Sequence, residues 1–600
     1  IQPLKTNERI HFVYQKTRND KAQEFLCKTI KNNLKLEKTY NFRKSINFEN
    51  KLRIFRIAIA GTAEYTNYWG DDDQSNGTNS EDAYAAVVST INRINQVFED
   101  ELSIRLELVS DSSLLYEDAI NDPFTGNFSS ELQSTIDKEI GDEAYDVGHL
   151  FDFGEPNGDA GCIGCVCETG VKAQGYSTHP FEDIYGGEYR NDYFDLDYAA
   201  HEIGHQFGAY HTFSYNNEGY GFSVEPGSGT TIMGYAGITG PDDVQLHGDP
   251  YFHYYSIQNI TNVVNSLSCG RTEVLSTSSV LIDAGPDYFI PIGTPYELSI
   301  NPLEGEGVTY SWEQLDSGQI TSDSFGPNNA IGGMARSLSP KAEANRIIPN
   351  LQSVLSNNLT LENPKVGDSW ETVSLVERDL VWGLTVRKNM GDHIKLFQDK
   401  MKVSVIATSS PFAVTSQAIS SLIIKGGSYQ KIAWNVAETN SHPINVSEVE
   451  ILLSSDGGIN FDIHLAKQTP NTGEAIVFIP NNIDTNNARI MVKAKEGIFF
   501  ALNRADFVIE SRQFALNFKE HQKNNCGSDV VQFEFEIDRK DGFETSFSIQ
   551  SDDLPNGVGV VFSKLTYTSS DINGSVVFNG LNELSSGNYD LNFTAVFGNE

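Results

Sequence analysis

Hydrophobic and polar positions change rhythm along this 600-residue chain, and each change predicts a different kind of element. Residues 1–50 show weak periodicity and read as an irregular segment. At 53–60 the run RIFRIAIA is apolar and stopped by Gly61, which predicts a strand. The polar stretch 71–82 (DDDQSNGTNSED) reads as a loop, with Asn79 and Ser80 suited to cap a following helix. Over 83–102, Val87, Val88, Ile91, Ile94, Val97 and Phe98 recur at helical spacing. Ile104, Leu106 and Leu108 then alternate with polar residues, the mark of a half-buried strand. A helix at 130–140 and a strand at 145–151 repeat the theme, so the expected fold is an α/β domain with a mostly parallel sheet. Past Cys269 the texture turns to Thr, Ser, Val and Ile runs broken by Gly, Pro, Asn and Asp, which predicts all-β sandwiches of immunoglobulin-like type. Breaks fall near 274, 409 and 511, and divide the chain into 1–50, 51–273, 274–409, 410–510 and 511–600.

Length agrees with several units, since domains run to about 100–200 residues each. No apolar run reaches the roughly 18 residues that a membrane-spanning helix needs. The net charge of -38 argues against nucleic acid or an anionic membrane as partner, because both would repel the chain. That charge is uneven. Residues 1–50 carry 11 Lys+Arg against 5 Asp+Glu, a basic leader before an acidic body. A start at Ile1 is read as the sign of a processed precursor. Of six cysteines, Cys162, Cys165 and Cys167 crowd into one loop. Such a cluster is metal or disulfide, and the lack of a second matching pair nearby favours disulfides.

The stretch 201–211 (HEIGHQFGAYH) concentrates the chemistry. Residues four apart share one helix face, so His201 and His205 can direct imidazole nitrogens at one cation. Gly208 permits the positive φ that ends the helix and brings His211 round as third ligand. A fourth position stays open, as a catalytic zinc requires. Glu202 cannot join the ligands, but it can take a proton from a water polarised by the ion, which makes it the candidate general base. The preceding residues 194–200 (FDLDYAA) continue the helical pattern upstream, with two carboxylates near the helix start.

The stretch matches the metzincin signature HExxHxxGxxH, and the chain resembles the adamalysin/reprolysin branch of those zinc metallopeptidases, especially bacterial reprolysin-like peptidases that precede immunoglobulin-like domains. The strand RIAIAGTAEYT, the Gly161-to-Cys167 segment with the KAQG that follows, and the DPYF stretch before a helix at 256–267 carry the likeness. The resemblance implies a secreted, extracellular zinc endopeptidase domain at 51–273, acting on proteins or peptides in extended form. It implies that Met233 forms the Met-turn floor under the histidines, where the alternative is a core methionine. Tyr235 would stabilise the oxyanion, with simple packing as the alternative. By the same likeness Cys167 pairs with Cys269 and Cys162 with Cys165, while Cys526 has no assigned partner, and 161–167 forms the edge strand above the cleft. Relatives hold a surface calcium near the last helix. Asp146 matches one of its ligands, but Arg56 stands where another carboxylate is expected, so an Arg56–Asp146 ion pair competes with Ca2+ there. Thr212 follows the third histidine where animal adamalysins usually have Asp.

Relatives often keep a prodomain cysteine on the zinc. Cys27 is the candidate for such a zymogen switch, within a remnant propeptide at 1–50, and its bland alternative is a buried small hydrophobe. The β-sandwiches are expected to bind a surface, a glycan or substrate. The rival reading is an adhesin with a degenerate peptidase domain, against which intact Glu202 and three intact histidines speak.

Overall fold

A computed structural model describes residues 2–4, 7–12, 26–29, 45–47, 51–73, 75, 77–181, 189, 191–276, 280–391, 393–520, 522–540 and 542–597. Of the leader read as irregular, four short strands are described, at Gln2–Leu4, Asn7–Phe12, Leu26–Cys27 and Ser45–Asn47. The rest of 1–50 lies outside the described residues. Two compact units divide the chain, Ile1–Ser353 with Asn358–Ala407, and Val354–Asn357 with Thr408–Glu600.

The first unit is built on strand β1 (Lys51–Gly61), whose side chains are buried on both faces from Ile57 on. Phe55, Ile57 and Ile59 face one apolar layer while Ala58 and Ala60 face another, as the two-residue period of a strand dictates. Helix α1 (Ala63–Trp69) follows directly. The first layer is supplied by helix α2 (Asn79–Leu102), with Ala83, Val87, Ile91, Ile94 and Phe98 turned inward. This helix begins earlier than its apolar stripe. Thr78 accepts from the Glu81 amide while Glu81 accepts from that of Thr78, so Thr78 is the cap and Asn79 and Ser80 lie inside the first turn. Strand β2 (Ile104–Leu108) pairs parallel with β1, and helix α3 (Phe128–Glu139) covers the opposite layer through Leu132 and Ile136.

Strand β3 (Val147–Asp152) pairs parallel with β1, and β5 (Gly175–Thr178) parallel with β3. Between them in sequence, β4 (Asn157–Asp159) pairs antiparallel with β5, and makes the sheet mixed. The segment 161–167 is a correction to expectation, because it forms no strand. Gly161 and Gly164 at φ +71° and +76°, with the Cys162–Cys165 bridge, fold it into a tight loop, and the sheet runs instead from β5 through β4 to Leu26–Cys27 as its outermost strand. Residues Phe194–Ala200 form a wide π-helical turn that runs into α4 (His201–Gln206). Helix α5 (Tyr254–Ser266), capped by the His253 ring, and strand β6 (Arg271–Val274), antiparallel to β1, close this part.

The same unit continues into an all-β layer, with strands Val308–Gln314, Arg378–Asn389, Ile394–Ile406 and Tyr288–Pro291 in one sheet. Leu396 from this layer sits in the core of α2 and α5. Arg387 places two nitrogens on the buried Glu101 carboxylate, each at 2.5 Å, and Glu313 accepts from the Tyr254 amide at 2.9 Å. From Thr408 on, the described residues of the second unit form strands and loops apart from one 3-10 turn at Leu581–Glu583. Among the described residues no helix is long and apolar enough to cross a membrane.

Candidate metal centre

The ligand helix α4 is held from both ends. Upstream, Asp195 accepts from Thr90 of α2 at 2.7 Å, and Asp192 pairs with Arg93 at 3.0 Å, so the π-helical turn is fixed to α2. Helical termini leave carbonyls without partners, and here the Gly164 and Val166 amides donate to the His205 and Gln206 carbonyls at 2.8 and 3.2 Å. The cysteine-rich loop is therefore a cap on the ligand helix. Two disulfides hold that cap, Cys162–Cys165 within it and Cys167–Cys269 from it to the end of α5.

Gly208 takes φ +111° and lies against Val263 of α5, where a Cβ would come within 2.5 Å of a methyl carbon. That turn carries His211 back beside His201 and His205. The three Nε2 atoms are 3.0, 3.2 and 3.3 Å apart. Each Nδ1 faces an acceptor: the Ile232 carbonyl at 2.7 Å for His201, the Ala209 carbonyl at 2.8 Å for His205 and the Glu218 carboxylate at 3.1 Å for His211. Protons placed on Nδ1 leave three Nε2 lone pairs converging on one point. Burial, and then the neighbouring His211, pulls His201 down to about 3, and His205 is lowered the same way, so both rings are neutral. Ligand atoms about 2.0–2.1 Å from a tetrahedral ion span a triangle of this size. The residues fit a zinc ion.

Met233 is fully buried, and a Cβ on Gly204 would meet its sulfur at 2.9 Å, so only glycine admits Met233 this close to α4. The Tyr235 ring lies edge-to-face with His211, centroids 4.7 Å apart, and tilted against His201 at 5.6 Å. Burial holds its phenol well above 10, with Cys27 and Glu202 adding to the shift. Glu202 is buried, and burial pushes its carboxyl up to about 8, against partial offset from Cys27 and Thr29. Its Oε1 has no hydrogen-bond partner among the described residues. A Cβ on Gly158 of β4 would reach that oxygen at 2.6 Å, so this strand passes directly over the carboxylate.

Residues 26–29 occupy the same place. Leu26–Cys27 pairs parallel with Asn157–Gly158, and the Lys28 amide donates to the Gly158 carbonyl at 2.6 Å. The Cys27 sulfur joins the three imidazole nitrogens in a cluster whose ligand atoms lie within 4.8 Å of one another. Without a cation, burial and then Glu202 raise the Cys27 thiol well above its ordinary value; a divalent ion would reverse that sign. Thr29 accepts from the Ala160 amide at 2.8 Å and donates to Glu202 Oε2 at 3.0 Å. Sequence reasoning missed Thr29, Gly158 and Glu218, because each acts through a contact that only the strand pairing or the loop path creates. At 56 and 146 the structure forms the ion pair, with Arg56 at 2.8 Å and its backbone amide also on the Asp146 carboxylate. Cys526 is exposed and free.

Residues 51–270 match the family described as metallo-peptidase family M12B, reprolysin-like. This part of the chain is a reprolysin-like metzincin domain. The reprolysin-like match ends where the all-β portion begins. No curated protein matches the chain. Among solved structures, the fibronectin(III)-like modules of Clostridium thermocellum CbhA share 11% identity over 40% of this chain and 96% of theirs, at a TM-score of 0.13. A marsupial T cell receptor shares 10% over 52% and 98%, at 0.14. The N-terminal four Ig domains of Dscam1 isoform 1.9 share 9% over 38% and 45%, at 0.12. Superpositions at those TM-scores assign no fold to the β-rich remainder.

Proposed function

We propose that this chain is a secreted zinc endopeptidase, described here in a latent form with its own residues 26–29 across the cleft. The observation that carries the reading is the triangle of three Nε2 atoms beside a carboxylate that is not among them. His201, His205 and His211 would hold the zinc, which when bound polarises water and the scissile carbonyl. Glu202 takes the proton of the attacking water and hands it to the leaving amine, as a buried carboxylate beside the first histidine can. Tyr235, kept protonated, donates a hydrogen bond to the oxygen that gains charge. An extended peptide would add to β4 along the edge that Leu26–Cys27 covers here.

Latency follows from the occupant already on that edge. Cys27, clustered with the three histidines, would supply a fourth ligand to the ion as thiolate, and Thr29 hydrogen-bonds Glu202. The paired cysteines support an oxidising, extracellular setting. We keep 51–273 as the peptidase domain and 274–409, 410–510 and 511–600 as β-sandwiches that follow it. Purified full-length chain with Cys27→Ala is expected to carry zinc and cleave casein without activation, and a second change of Glu202→Ala to abolish cleavage while zinc stays. Unchanged latency in the Cys27→Ala chain removes the switch, and absence of zinc from the intact chain removes the enzyme.

A further inference from the structure

A second carboxylate, used in none of these steps, is buried close to the ligands in the fold. Glu225 is 1% exposed and, among the described residues, has no ion-pair partner. An ionised carboxylate cut off from water is costly unless hydrogen bonds replace its solvation. Here they do. Oε2 accepts from the Thr212 and Thr231 hydroxyls, each at 2.6 Å, and Oε1 accepts from the Thr230 amide at 3.0 Å. Gly229, at φ +69°, gives the carboxylate room, since a Cβ there would sit 3.0 Å from Oε2.

Those donors belong to the two segments that set the geometry of the histidines. Thr212 follows His211 directly, its amide donates to the Met233 carbonyl at 3.1 Å, and its carbonyl accepts from the Val224 and Glu225 amides at 2.9 Å. Thr231 precedes Ile232, whose carbonyl orients the His201 ring. One carboxylate thus joins the segment leaving the third ligand to the turn that steers the first. Resting on the zinc reading above, we infer that Glu225 is a positioning residue of the metal centre, tying Thr212 beside the third histidine to Thr231 in the turn that orients the first. Its task is to hold His211 and His201 in mutual register, so that the ion meets three nitrogens already in place.

The test follows zinc release rather than turnover. Zinc-loaded full chain is mixed with excess chromogenic chelator, and the cobalt-substituted form is read by visible absorption. Glu225→Ala is expected to release zinc about 10–100-fold faster and to alter the cobalt spectrum, while Glu225→Gln, which keeps the shape and one acceptor oxygen, recovers most of the wild-type behaviour. Wild-type release and spectrum in Glu225→Ala, even with lowered thermal stability, overturn the inference by showing a merely structural role. Should Glu225→Ala fail to fold, Thr212→Val and Thr231→Val each remove one donor and leave the carboxylate. Faster release in both supports the inference, and unchanged release overturns it. His205→Ala separates the two levels: if it keeps zinc as tightly as the wild type, the metal centre itself is wrong, whereas loss of zinc there with neutral Glu225 variants defeats only the positioning role.

Discussion

Glu202 and Glu225 are both buried glutamates beside the same ligand-bearing segments, and they differ in how completely hydrogen bonds satisfy them. Glu225 has two donors on each oxygen. Glu202 has the Thr29 hydroxyl on Oε2 and no hydrogen-bond partner for Oε1, and its carboxyl is pushed up to about 8. The donors on Glu225 come from two segments, which the carboxylate ties together. An unsatisfied carboxylate is high in free energy as an anion, and that is the condition for a base. Burial alone does not assign a role; the donors around the group do.

The largest way to sharpen this contrast is to make Glu202 neutral. Glu202→Gln in the activated chain is expected to lower kcat by about 10²–10⁴-fold at unchanged zinc content. In the zinc-free protein the same change has a pH signature. A carboxyl raised from 4.5 to about 8 by burial binds its proton more tightly folded than unfolded, so its contribution to stability is full below pH 4.5 and is lost as pH rises through 8. Denaturation of zinc-free chain across that window should show a fall on the order of a few kcal/mol that Glu202→Gln flattens. A fall of the same slope in the variant would assign it to other groups.

A smaller change breaks the contrast from outside. Gly158→Ala drives a methyl group toward Glu202 Oε1, so either β4 or the carboxylate must shift, at a cost of about 1–3 kcal/mol. Chemical denaturation should register that loss together with weaker cleavage of extended peptides, and wild-type values for both would show that the strand yields freely. Smallest is Thr29→Val, which removes the hydrogen bond on Glu202 at a cost of about 1 kcal/mol or a little more. The latent chain should then activate a few-fold sooner under limited proteolysis, while the Cys27 contact keeps it from being active at once. An unaltered activation time course would leave latency to Cys27 alone.

Much of this was legible in the linear chain because short-range periodicity carries it. The i, i+4 spacing of His201 and His205 and the break at Gly208 specify a shared direction without reference to any distant residue. The alternation at 104–108 and the stripe on α2 do the same for the sheet and its cover. The cap of α2 was misplaced by a residue or two because Asn79, Ser80 and Thr78 all suit it, and only the reciprocal pairing with Glu81 decides among them. The loop at 161–167 was read as strand through likeness, although its two positive-φ glycines favour a turn.

The sequence by itself determined the shared direction of the histidines, the glutamate beside the first of them and the alternating elements that carry them, since each depends on neighbours within a few residues. Tertiary structure decided the rest: that Leu26–Cys27 pairs with β4 at the rim of the sheet, that Glu218 reaches His211 and Glu225 the threonine beside it, and that the all-β layer through Leu396, Arg387 and Glu313 shares the core of the first unit. The physical reason is range. A helix face is set by bonds four residues long, but whether a buried carboxylate is satisfied depends on which donors the completed fold brings to it, and no local pattern encodes them.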